Sequence, residues 1–100
     1  MERLMHTGVK PIVIDELRRL AKQHELDRLL LFGSRARGDY HERSDIDLAA
    51  FGGAVSRFAL DAEEETSTLL RFDIVNMDQP MQSDLRRSIE KEGLVLYEKI

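Results

Sequence analysis

The sequence predicts an α/β (α+β) domain, a small mixed sheet of about four strands with helices packed on it. Apolar residues recur at helical spacing in some stretches and run continuously or alternate in short ones between them. The six glycines and two prolines fall at the borders of those stretches. A chain of 100 residues, 42% apolar and 34% charged, can bury one core but not two. A single domain over residues 1–100 is therefore expected.

Pro11 suits the first turn of a helix, where its missing N–H costs nothing. Val13, Ile14, Leu17, Leu20 and Ala21 continue at helical spacing, so residues 11–24 read as an amphipathic helix. Leu29, Leu30, Leu31 and Phe32 form an apolar run stopped by Gly33, the pattern of a buried central strand. Ser34 can cap a short helix and Gly38 can end it. Residues 39–44 are a polar loop. From Asp45 the pattern alternates: Asp45, Asp47, Ala49 and Phe51 share one strand face, and Ile46, Leu48 and Ala50 the other. Gly52-Gly53 breaks that strand. Phe58, Ala59, Ala62 and Leu69 predict a helix over residues 56–70. Residues 71–77 alternate again, with Phe72 and Ile74 opposite Asp73, Val75 and Met77. Ser83 can cap a helix carrying Leu85 and Ile89, Gly93 can close it, and residues 94–97 make a last, edge strand.

Composition excludes several function classes. No run approaches the ~20 apolar residues of a membrane span, and the first ten residues lack the apolar segment of a signal peptide. Zero cysteines exclude disulfides, thiolate metal sites and a thiol nucleophile. The net charge of −4 argues against an unaided grip on nucleic acid. A cytoplasmic domain binding neither membrane nor nucleic acid is expected.

The chemistry is concentrated in residues 31–51, LFGSRARGDYHERSDIDLAAF. Asp45 and Asp47, two apart on a strand, leave the same face with Cα atoms about 6.5–7 Å apart. Carboxylates so placed repel unless a cation lies between them, and Mg²⁺ takes one or two carboxylates together with substrate phosphates. Equally, Ser44-Asp45 could form a turn and Asp47 could be a solvated strand residue. Gly33-Ser34 between a strand and a short helix offers backbone N–H groups and a hydroxyl to an anion, and it is also an ordinary strand-to-helix turn. Arg35 and Arg37 follow, able to neutralise a polyphosphate or to lie in solvent. The combination carries more than its parts. Four fixed residue types at set spacing would match roughly one random chain of this length in a thousand.

This stretch resembles the signature of the DNA polymerase β-type nucleotidyltransferase superfamily. More narrowly, nearly the whole chain looks like a minimal nucleotidyltransferase (MNT), the MntA-like antitoxin type found beside HEPN toxins. The resemblance implies that Gly33 and Ser34 hold the β/γ-phosphates of ATP, beside which Arg35 and Arg37 are candidate nucleotide-binding residues, and that Asp45 and Asp47 bind Mg²⁺, with two ions in the site. It implies a third carboxylate on the next long strand, for which Asp73 is the best match. From the residues alone, Asp61, Asp78 and Asp84 are rivals, although they fall in predicted helices or turns. The implied activity is transfer of AMP from ATP to a tyrosine of a cognate HEPN ribonuclease toxin by a protein adenylyltransferase. A chain of this size has no room for a second domain to wall the cleft, so a partner protein is expected to supply the acceptor.

Two other functions are compatible with the pattern. One is a nucleotidyltransferase-like binding module that blocks its partner stoichiometrically. The other is transfer to a small molecule of the aminoglycoside type, which would need an acceptor pocket from further residues. His6, His24 and His41 lack metal-ligand spacing, and Tyr40, in the motif loop, reads as an ordinary exposed tyrosine.

Overall fold

The computed structural model describes residue 4 and residues 6–100. Its elements are α1 (Pro11–Gln23), β1 (Arg28–Phe32), α2 (Gly33–Arg37), β2 (Ile46–Phe51), α3 (Val55–Glu65), β3 (Phe72–Asn76), α4 (Ser83–Glu92) and β4 (Leu94–Glu98). The strands form one mixed sheet in the order β3-β2-β1-β4. β1 lies antiparallel to both β2 and β4, while β2 and β3 run parallel. The α/β reading and the alternation of helix and strand hold throughout. β1 is internal, which is why Leu29, Leu30 and Leu31 can be consecutive and all buried. β4 is an edge strand, as its position in the sequence suggested.

The sheet has two unequal faces. On one, Leu29, Leu31, Ile46, Leu48 and Ala50 meet Val13, Leu17, Leu20 and Ala21 of α1 and Phe58 and Ala62 of α3. On the other, Leu30, Ala49 and Met77 meet Ile89 of α4, with Phe32, Phe51, Val75 and Met81 only partly covered. The alternation read in β2 and β3 is thus the division between the two cores.

Some boundaries differ from the sequence reading, each for a local reason. Ser34 and Ser83 lie inside their helices; Phe32 and Gln82 hold the cap positions, with no side-chain cap bond. The third helix, α3, stops at Glu65 rather than reaching residue 70. There the Thr66 hydroxyl donates to the Ala62 carbonyl (2.7 Å), and the Ser67 N–H and hydroxyl donate to the Glu16 carboxylate (2.8 and 2.7 Å). Side-chain bonds of this kind compete with the helix ladder. Gly38 ends α2 as expected, at φ 93°, with its N–H on the Ser34 carbonyl at 2.8 Å.

Candidate active site

Strand register brings the second and third of the expected carboxylates together. Asp47 of β2 is paired with Phe32 of β1 on one side and with Asp73 of β3 on the other. Neighbouring strands lie about 4.8 Å apart, and paired residues share a face, so Asp47 and Asp73 project side by side on the face that carries α4. Asp45 precedes β2 and is exposed. The expected strand therefore begins one residue later than the alternation suggested, at Ile46, whose N–H reaches the Arg71 carbonyl (2.8 Å). Asp45 still acts on the pair. Burial, then the Asp73 and Asp45 carboxylates, push the Asp47 carboxyl above its ordinary value, against the weaker pull of Arg37 and Arg35.

Gly33 completes this corner. It has φ 75°, a left-handed conformation that glycine alone adopts freely, and a Cβ there would collide with Asp47 Oδ2. Glycine is required because the strand-to-helix turn passes directly against the carboxylate. Ser34, half-buried, follows on α2. The Gly33 N–H donates to Glu92 Oε1 (3.2 Å) at the end of α4. Arg37 donates through Nη1 to the same carboxylate (3.3 and 3.5 Å) and through Nε to Asp39 (3.3 Å).

Arg35 corrects the sequence reading. It was expected beside a polyphosphate, but it is only 2% exposed and its donors face inward. Nε donates to the Ser44 carbonyl (3.0 Å), Nη1 to Thr7 (2.9 Å) and Nη2 to Glu42 (3.1 Å) and His41 (3.5 Å). Its guanidinium also stacks on the Tyr40 ring at 4.8 Å. Residues 39–45 form no strand, so their carbonyls need donors, and a guanidinium supplies five in a fixed fork. Arg35 thus ties down the loop that delivers Asp45.

The rival carboxylates lie elsewhere. Asp61 on α3 is hydrogen-bonded by His24 Nε2 (2.7 Å). Asp78 accepts from the Gly52 N–H (2.8 Å), past the far end of β2 from Asp47. Asp84 is exposed in the first turn of α4, next to Arg87. A cleft of about 920 Å³ opens beside Asp45, lined also by Lys10, Arg43, Leu69 and Arg71. Among the described residues no three His, Asp or Glu side chains form a ready-made metal cage. The Asp47–Asp73 pair, with Asp45 near it, nevertheless suits an ion that shares its shell with phosphate oxygens. Mg²⁺ is usually held by one or two carboxylates in that way, and a cation would relieve the repulsion that raises Asp47. Sequence reasoning missed Glu92, because nothing local marks a residue brought to Gly33 from 59 positions away.

The profile of the polymerase β nucleotidyltransferase family matches residues 15–100. The chain belongs to that family. It is a nucleotidyltransferase, with the fold expected of one. It is 32% identical over 81 residues to "Putative protein adenylyltransferase MJ0604" of Methanocaldococcus jannaschii, covering 72% of this chain and 79% of that one. Among solved structures it resembles a toxin–antitoxin crystallised with AMP-PNP (TM-score 0.70, 20% identity, 86% of this chain and 73% of that one). It also resembles a nucleotidyltransferase structure from Sulfolobus solfataricus (TM-score 0.57, 20% identity, 97% of this chain and 88% of that one). These structural likenesses concern the fold.

Proposed function

We propose that this nucleotidyltransferase is a Mg²⁺-dependent protein adenylyltransferase of the antitoxin type. It works as a single cytoplasmic domain and transfers AMP from ATP to a tyrosine of a HEPN-family ribonuclease toxin. The observation that carries the reading is the pairing of Asp47 with Asp73 beside Gly33. The likeness to a toxin–antitoxin structure with AMP-PNP supports the partner and nucleotide classes.

Asp45, Asp47 and Asp73 would hold Mg²⁺, two ions when the site is full. Bound there, the metal lowers the pKa of the incoming hydroxyl and neutralises the departing pyrophosphate. The chain's own part is positioning. The Gly33 N–H, Ser34 and Arg37 orient the β- and γ-phosphates, and the missing Cβ at Gly33 lets the strand-to-helix turn lie directly against Asp47. The tyrosine oxygen attacks the α-phosphorus in line. The P–O bond to the β-phosphate breaks, pyrophosphate leaves with that electron pair, and the phenolic proton passes to solvent. Arg35 holds the loop that aims Asp45 and takes no part in phosphate binding.

The test incubates the chain with Mg²⁺, α-labelled ATP and the product of the neighbouring reading frame. Label is expected on a tyrosine of that protein, reduced at least ~100-fold in Asp45→Asn/Asp47→Asn, the scale for losing transition-state charge stabilisation. Neutralisation of the partner that needs no ATP and survives the double substitution would overturn catalysis in favour of stoichiometric blocking.

A further inference from the structure

The Gly33 amide, the first N–H of the strand-to-helix turn, already holds an anion from this chain. Glu92 Oε1 accepts from Gly33 N at 3.2 Å and from Arg37 Nη1 at 3.3 Å, and Glu92 Oε2 is 3.5 Å from the same Nη1. The carboxylate is thus shared between two of the three groups proposed to orient a triphosphate, the Gly33 N–H and Arg37. We infer that Glu92 is an affinity-setting residue of the nucleotide site, an intramolecular anion that phosphate must displace; the inference rests on the proposed function.

The fold builds this contact. α4 ends at Glu92 because Gly93 turns the chain, its N–H on the Ile89 carbonyl at 2.8 Å. A side chain at Gly93 would press on that carbonyl and on Leu30, so glycine lets the end of α4 close onto β1. That closure sets Glu92 over the turn that follows β1. A carboxylate is unfavourable at a helix C-terminus, where the macrodipole already places negative charge. Glu92 is therefore held by Arg37 and Gly33 against the field of its own helix. A phosphate oxygen, which brings a cation with it, competes for the same donors. Glu90, two residues earlier, carries the same charge but turns to Arg28 (3.8 Å), away from the turn.

The experiment titrates inorganic triphosphate with Mg²⁺ into the wild-type chain, Glu92→Gln and Glu90→Gln by calorimetry, with a thermal melt of each variant to verify folding. Glu92→Gln removes the competing charge at nearly constant volume and should tighten binding about three- to tenfold, the net scale of one ordinary hydrogen bond. Glu90→Gln should bind within about twofold of wild type, since its charge is screened and distant. Equal tightening in both variants would reduce the effect to net charge and overturn the inference. Weaker binding by Glu92→Gln would overturn it too, making Glu92 a support that aims Arg37. In both of those cases the proposed function stands, because wild type still binds. No uptake by any of the three proteins removes the proposed function, and the inference with it.

Discussion

The two faces of the sheet differ in what covers them, and the difference explains where the chemistry sits. Two helices, α1 and α3, close the first face, and every sheet residue beneath them at the centre is buried. A single helix, α4, crosses the second, leaving Phe32, Phe51 and Val75 partly exposed. Asp47 and Asp73 belong to that second face, where Asp47 is half-buried and Asp73 exposed. Two carboxylates under α1 and α3 would lose their hydration with nothing to replace it. On the second face Asp47 keeps part of its contact with water and Asp73 stays exposed. Stability is concentrated on one side of the sheet, and the uncompensated charge on the other.

Truncation on each face should expose this asymmetry most strongly. Leu48 is fully buried on the first face, so Leu48→Ala should cost about 2–5 kcal/mol. Val75, half-exposed on the second, should lose only about 1 kcal/mol on truncation to Ala, because much of its surface already meets water. Urea denaturation midpoints at constant slope would measure both. Equal losses would mean that the second face is packed as firmly as the first.

The next effect concerns the loop between the faces. Arg35→Lys keeps the charge but replaces a planar fork by a single ammonium, leaving some of the carbonyls of Thr7, His41, Glu42 and Ser44 without a donor. A loss of about 1–3 kcal/mol is expected. Because the same loop carries Asp45, nucleotide transfer should fall further than the stability loss explains. Unchanged denaturation in Arg35→Lys would show that the loop needs no clamp.

Arg35 also marks the limit of what could be read in advance. The strand faces were legible because alternation records which side is buried. Ile46, Leu48 and Ala50 against Asp47, Ala49 and Phe51 needed no structure. The preference for Asp73 over Asp61, Asp78 and Asp84 rests on resemblance and on those three falling in predicted helices or turns; that Asp73 lies opposite Asp47 in a parallel register could not be read in advance. The direction of Arg35 was not legible. An arginine one position past Gly-Ser can face outward to phosphate or inward to loop carbonyls, and only the unpaired carbonyls of residues 41–44 and Thr7 decide it. Glu92 left no trace either, because its partners come from the far end of the chain. Periodicity reports burial; it does not report which polar group a buried donor will find.

The smallest effect has the opposite sign and probes the charged face directly. Asp47 is raised by burial and by Asp73 and Asp45, so the native chain binds a proton at this site more tightly than the unfolded chain does. Its ionised form therefore costs stability at neutral pH. That cost is lifted as pH falls through the raised native value toward the ordinary value of an unfolded aspartate, and below that the contribution is complete. Asp47→Asn should accordingly be as stable as wild type or more so without metal, by about 0.2–1 kcal/mol, the scale of a like-charge cross-strand pair. The gain should be present at neutral pH and vanish on acidification, since protonated Asp and Asn are then alike in charge. Mg²⁺ should reverse the order by stabilising only the chain that retains the carboxylate. Thermal melts of both proteins at neutral and acidic pH, with and without Mg²⁺, would establish it. A clear loss of stability in metal-free Asp47→Asn would mean that this carboxylate holds the corner at Gly33 together, and is not charge held in reserve for a cation.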